Sequence, residues 1–188
     1  MTKVLAAIAL AASVLAALPG CVPLAVVGAG TTALVAGDRR TTGIYIEDEN
    51  IEMKILRISG DFNGAHVNAT SFNQKVLLTG EAPDEATRKK IEELVKGVPS
   101  VKEVVNELQV AGNSSLASRG SDSVITSNVK TRMVNNSKVS PLHVKVVTEQ
   151  STVYLMGLVS PEEGDAAVEV ARTTSGVSRV VKVFEYIK

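Results

Sequence analysis

VNATSFNQKVLLTG, residues Val67–Gly80, returns seventy-seven positions later as VKVVTEQSTVYLMG, residues Val144–Gly157. Val67, Val76, Leu78 and Gly80 fall on Val144, Val153, Leu155 and Gly157. Each copy reads as an alternating strand, a short polar turn and a second strand that ends in glycine. A proline-bearing helix start follows in both, Ala82-Pro83-Asp84-Glu85 and Ser160-Pro161-Glu162-Glu163. Past that helix the reading shifts by two, so that Gly97-Val98, Val101, Val104 and Leu108 map onto Gly176-Val177, Val180, Val183 and Ile187. A match over three strands and a helix makes this one small module, duplicated.

Helical periodicity completes each copy. Glu47-Asp48-Glu49-Asn50 suits a helix N-terminus, and Ile51, Ile55 and Ile58 recur behind it at helical spacing. The next helix is expected over 83–96, with Pro83 in its first turn, Gly97 as its stop, and Ile91, Leu94 and Val95 as its buried face. In the second copy Asp122 or Ser123 is expected to cap a helix whose inward stripe is Ile125, Val129 and Met133. Ser160-Pro161-Glu162-Glu163 forms a capping box, and Ala167, Val170 and Ala171 make the stripe that follows. Each module reads helix, strand, strand, helix, strand. The glycine- and serine-bearing stretch from Gly112 is the linker.

The chain has 188 residues with only 3% aromatics and no tryptophan, so its cores must be aliphatic. A module of about sixty-five residues lies near the lower limit for a self-sufficient core, and such cores gain from packing module on module.

The N-terminus states a destination. Met1-Thr2-Lys3 is followed by the apolar run Val4–Leu18, interrupted only by Ser13, and then Leu18-Pro19-Gly20-Cys21. That run suits a signal h-region and is short for a membrane span of roughly twenty residues. The small residue before Cys21 and the aliphatic one three before it resemble a bacterial lipobox, in which the cysteine is acylated and becomes the first residue. Cys21 is the sole cysteine, which excludes an intramolecular disulfide. The tract 22–37 contains Gly28-Ala29-Gly30-Thr31-Thr32-Ala33, formally a dinucleotide fingerprint. It lacks the preceding strand, the long helix and the βαβ context that such a site requires, and reads as an apolar tether. Asp38-Arg39-Arg40 behind it is a candidate for contact with anionic headgroups.

This arrangement resembles the BON domain, and the whole chain resembles the bacterial outer-membrane lipoproteins that carry two BON domains, the DolP type. The residues that carry the resemblance are Asp38-Arg39-Arg40-Thr41-Thr42-Gly43, Lys75–Gly80, Val153–Val159 and the ending Phe184-Glu185-Tyr186-Ile187-Lys188. It implies an α+β fold of two tandem αββαβ modules, each with a three-stranded mixed sheet packed on two helices. The expected organisation is a signal peptide over 1–20, an acylated cysteine and tether over 21–46, BON domains over 47–111 and 123–188, and a linker over 112–122. The resemblance further implies a protein on the periplasmic face of the outer membrane that binds phospholipid and supports envelope integrity.

No residue pattern supports catalysis. His66 and His143 occupy equivalent positions at strand starts, but neither has metal-ligand spacing, and duplicated histidines record duplicated structure. No GxSxG elbow occurs, and the acidic pairs Asp84-Glu85 and Glu162-Glu163 suit helix first turns. No cofactor or metal is expected. Charge separates the modules: 47–110 holds eight basic and twelve acidic residues, a net of −4, and 119–188 holds nine and seven, a net of +2. The second module is therefore the candidate for anionic phospholipid, phosphatidylglycerol or cardiolipin. A net of +2 without a basic stripe or an aromatic platform argues against nucleic acid. On its first helix Val124, Lys130 and Val134, with Lys138 beyond, lie off the Ile125–Met133 stripe and form the expected lipid-contact residues; the alternative is that both valines pack on the neighbouring module. A rival for the whole protein is an interaction scaffold whose acidic first module docks an envelope assembly or division protein. Replacing Cys21 by serine is expected to leave the protein unprocessed or soluble, and normal membrane fractionation of that variant would refute acylation.

Overall fold

The computed structural model describes residues 37–112 and 114–187, and Gly37–Lys188 is one compact unit. Its elements run α1 (Thr42–Ser59), β1 (His66–Phe72), β2 (Lys75–Ala82), α2 (Glu85–Lys96), β3 (Glu103–Asn106), β4 (Gln109–Val110), α3 (Leu116–Val134), β5 (Val144–Glu149), β6 (Thr152–Val159), α4 (Pro161–Arg172) and β7 (Arg179–Tyr186). In each module an antiparallel hairpin, β1–β2 or β5–β6, is joined by a strand parallel to its second member. The short β4 continues along β2 after β3, so the first sheet is also three strands wide. The α+β architecture of two αββαβ modules is as the sequence indicates.

The helices lie on one side of each sheet. Ile51, Ile55, Ile91 and Val95 close on Val76 and Leu78 in the first module. Ile125, Val129, Met133, Ala167 and Val170 close on Val153, Leu155 and Val159 in the second. The opposite faces of the two sheets meet each other, with Phe72 and Leu77 against Tyr154, Met156, Leu158 and Val183. β2 and β6 are therefore buried on both faces, which explains why KVLLTGEA and TVYLMGLV carry so few charged residues. Each large apolar side chain buried there contributes about 1.5–3 kcal/mol.

Both hairpins turn on two consecutive residues in the left-handed region without a glycine, Asn73 and Gln74 (φ 54° and 68°) and Gln150 and Ser151 (φ 47° and 59°). Such turns favour glycine because side chains are strained at positive φ. A buried aspartate on the preceding helix stabilises each. Asp48 accepts from the N–H groups of Asn73 (2.9 Å) and Gln74 (2.7 Å) and from the Ser71 hydroxyl (2.6 Å). Asp122 accepts from Gln150 N–H (2.9 Å) and Ser151 N–H (2.8 Å). These aspartates sit inside their helices. α1 starts at Thr42 behind the Thr41 cap and α3 at Leu116 behind the Ser115 cap, earlier than the acidic residues suggest. Much of the expected linker is therefore helix.

Two further expectations are corrected. α2 is capped by Asp84, which accepts from Thr87 N–H, so Pro83 stands outside the helix, and Leu94 is 39% exposed while Ile91 and Val95 are buried. The sheet register also replaces the shift of two past the helix. Val104 lies opposite Val76 and Val180 opposite Val153, so Val104 corresponds to Val180 and not to Val183. Gly97 matches the helix cap Thr173, and the left-handed position held by Gly176 (φ 88°) is held in the first module by Ser100 (φ 72°). Glycine identity drew the alignment three residues out of step.

Gly80 and Gly157 are fixed by close approach, since a Cβ there would stand 2.1 and 2.3 Å from the carbonyl oxygens of His66 and His143. Replacing Asp48 by alanine is expected to cost about 3 kcal/mol or more, because it removes one of the two carboxylates on the buried Arg40 and the acceptor of the Ser71 hydroxyl as well as of two turn amides. Asp122→Ala should cost about 1–3 kcal/mol. Urea unfolding of both variants checks the order; equal losses would show that the turn amides alone matter.

Candidate lipid-contact face

The inward stripe of α3 is held as expected, and that fixes what points out. Ile125, Val129 and Met133 are buried. Arg132 ties α3 to α4 by donating to Val170 O (3.2 Å), Thr174 Oγ1 (2.8 Å) and Thr173 Oγ1 (2.9 Å). With the helix pinned in this rotation, Val124 is 59% and Val134 67% exposed, and Lys130 is exposed on the same outer side. Neither valine packs on the first module, which removes that alternative. Lys138 is also exposed but belongs to the loop after the helix, where its N–H donates to Asn136 Oδ1 (2.8 Å). It lines an open depression with Glu162, Glu163, Asp165 and Glu169, so its charge faces carboxylates. Val124, Lys130 and Val134 form one surface; Lys138 sits at its acidic margin.

The basic pair before α1 does something other than wait for headgroups. Arg39 donates both guanidinium nitrogens to Glu163 (2.6 and 2.8 Å) and reaches Leu158 O (2.7 Å). Arg40 is buried between Asp38 and Asp48 (2.6 and 2.8 Å), with its guanidinium 4.0 Å above the centre of the Phe72 ring. Both arginines are struts within the protein, Arg40 buried and Arg39 at the surface. The Arg39 hydrogen bonds, opposed by partial burial and helped by the Ser160 amide and His143, bring the Glu163 carboxyl down to about 2. His143 Nδ1 lies 3.2 Å from Glu163, and His66 Nδ1 lies 3.3 Å from the buried Glu81, so the duplicated histidines meet carboxylates from non-equivalent positions. Among the described residues no group of three or more His, Cys, Asp or Glu is placed to hold a metal ion.

A polar seam runs between the modules beside His66. Gln150 donates to Glu81 (2.7 Å), and Asn68 donates to Glu149 (2.9 Å). Burial, with the nearby Glu81 and Asp122 charges, raises the Glu149 carboxyl above its ordinary range against the Asn68 hydrogen bond. At Glu81 burial acts upward too, but hydrogen bonds from Gln150 and Ser114 outweigh it and lower the pKa. Sequence reasoning missed this seam, and it gave Asp48 and Arg40 other roles, a helix start and headgroup contact. The recurrence of an aspartate three residues before the first buried isoleucine, Asp48 before Ile51 and Asp122 before Ile125, was the available signal. Cys21 and Gly28–Ala33 lie outside the described residues. Among the described residues no helix is long and apolar enough to cross a membrane.

The BON domain family matches residues 48–112 and 121–188. The chain belongs to the BON-domain proteins of the DolP type. It is 38% identical over 177 residues to the outer membrane lipoprotein DolP of Haemophilus influenzae, covering 90% of each chain. It is 36% identical over 155 residues to the 21 kDa hemolysin of Actinobacillus pleuropneumoniae, covering 80% of each. The osmotically-inducible protein Y of Escherichia coli is 28% identical over 146 residues, 73% of this chain and 72% of that one. The two matched segments are the two αββαβ modules, and this BON protein carries its exposed valines on the first helix of the second.

The Arg39–Glu163 pair yields a pH prediction. A carboxyl held at about 2 against 4.5 in the unfolded chain adds stability that is present above pH 4.5 and lost as pH falls toward 2. Arg39→Gln should raise the Glu163 titration toward the ordinary carboxylate range and be less stable than the parent at neutral pH, with the gap closing below about pH 2. Carboxyl NMR titration and acid unfolding measure both; a Glu163 titration unmoved by the substitution would refute the pairing.

Proposed function

We propose that this BON protein is an outer-membrane lipoprotein, acylated at Cys21 and facing the periplasm. It binds anionic phospholipid, phosphatidylglycerol or cardiolipin, through the outer face of α3 and so supports envelope integrity without catalysis. The observation that carries this reading is the exposure of Val124 and Val134 beside Lys130 on a helix whose core stripe is otherwise satisfied. Two aliphatic side chains and an ammonium on a long apolar stem suit the boundary between headgroups and acyl chains. The positive balance of the second module favours an anionic surface. Its relatives named as an outer membrane lipoprotein and a hemolysin support a membrane role.

Acyl chains at Cys21 would supply the anchoring, since each buried methylene is worth about 0.8 kcal/mol. The α3 face then serves selection and orientation, and its charge component weakens with salt, screened beyond roughly 10 Å at 0.1 M. The double variant Lys130→Glu with Val134→Glu is expected to abolish flotation of the unlipidated Gly37–Lys188 unit with phosphatidylglycerol vesicles while leaving its thermal unfolding unchanged. A folded double variant that still floats at low salt would overturn the assignment.

A further inference from the structure

The first module carries a surface of the opposite character. Along one flank of α1, Ile46, Met53 and Leu56 are 55%, 50% and 67% exposed, and at 100° per residue they share one side of the helix with Glu49. Below Met53 and Leu56 lies a groove whose walls are α1, β1 from Val67 to Thr70, and β5 from Val147 to Glu149. Its lining contains three carboxylates, Glu49, Glu52 and Glu149, and no lysine or arginine.

The strands in that groove are the end strands of their sheets, β1 of the order β1-β2-β3 and β5 of β5-β6-β7. On β1 the outward side is identified by Ser71, whose N–H turns away from β2 to donate to Glu52 (2.8 Å). Hydrogen-bonding direction alternates along a strand, so Val67 and Ala69 present their N–H and C=O groups to the same open edge. An open edge beside exposed aliphatic side chains is a template for one more strand. The carboxylates fix its charge. Lys145 already engages Glu52 (2.8 Å) and Asn68 donates to the buried Glu149 (2.9 Å), which leaves the exposed Glu49 to attract cations. The same carboxylates repel the anionic surface that suits α3.

We infer that this groove docks a basic, extended segment of a partner protein, added as a strand along the outer edge of β1. Aliphatic side chains of the segment lie on Met53 and Leu56, and a lysine or arginine faces Glu49. This surface stands on the opposite charge from the α3 face and does not depend on lipid binding there.

The test uses the full-length protein in detergent micelles and a short synthetic peptide that alternates lysine with valine. Backbone amide NMR is expected to show shifts confined to Val67–Thr70, Val147–Glu149 and the α1 flank. A glutamate–valine peptide should not bind, and methylating the amide nitrogens on one edge of the lysine peptide should abolish binding, since a strand needs those donors. Leu56→Asp, at a position exposed enough to leave the fold intact, should weaken binding roughly ten-fold, as expected when a central apolar contact is lost. Glu49→Lys should exchange preference between the two peptides. Equal binding of both peptides, shifts mapping to α3, or undiminished binding of the methylated peptide would each overturn the proposal. So would a Leu56→Asp variant that loses flotation on phosphatidylglycerol vesicles but keeps the peptide, which would make this a lipid surface.

Discussion

The structure depends on two sheets placed back to back. A single αββαβ module of this size has one layer of helices over one sheet and leaves the other sheet face open. Here that face is apolar in both copies, and Leu77, Tyr154, Met156, Leu158 and Val183 bury each other across it. Four layers result, helix, sheet, sheet, helix, with the central strands covered on both sides. A chain with so few aromatics obtains in this way a depth of core that neither module reaches alone. It also fixes which surfaces remain for function. The sheet faces are spent, and the outer helix faces and the edges of the sheets, β1 and β5 among them, are left.

Duplication preserved geometry more faithfully than residue identity. The left-handed hairpin turn is Asn73-Gln74 in one copy and Gln150-Ser151 in the other, identical at neither position, yet both are stabilised by an aspartate from the same place on the preceding helix. The positive φ after the second helix is carried by Ser100 in one module and by Gly176 in the other. Charge diverged while shape did not. Ile46, Met53 and Leu56 lie along α1 among glutamates, and Val124 and Val134 lie along α3 beside Lys130, so one ancestral helix face has become two surfaces of different preference.

The hairpins, the core stripes of α1, α3 and α4, and the module count were legible because each is a local pattern of period two or near four. The capping box at Ser160 was legible for the same reason, since its partners are three residues apart. Helix starts were not. Acidic residues invite a cap reading, and nothing local shows that Asp48 and Asp122 turn inward to amides more than twenty residues away. Asp38-Arg39-Arg40 looked like a free basic motif because Glu163 is distant in sequence and Asp48, though near, is indistinguishable there from a solvated carboxylate. The outward placement of Val124, Lys130 and Val134 could be read from periodicity. Lys138 could not, because it lies past the last turn, where a helical wheel no longer applies.

The short segment before α1 has a mechanical consequence. Arg40 is gripped inside the first module and Arg39, its immediate neighbour, clasps the second. A tug on the chain from its N-terminal side therefore reaches both modules at the same point. The load falls on adjacent ion pairs in parallel and does not peel one module open strand by strand. A protein tethered by that end to a moving surface would transmit tension to its whole body as a single rigid float, and the seam between its halves would be the last place to feel it.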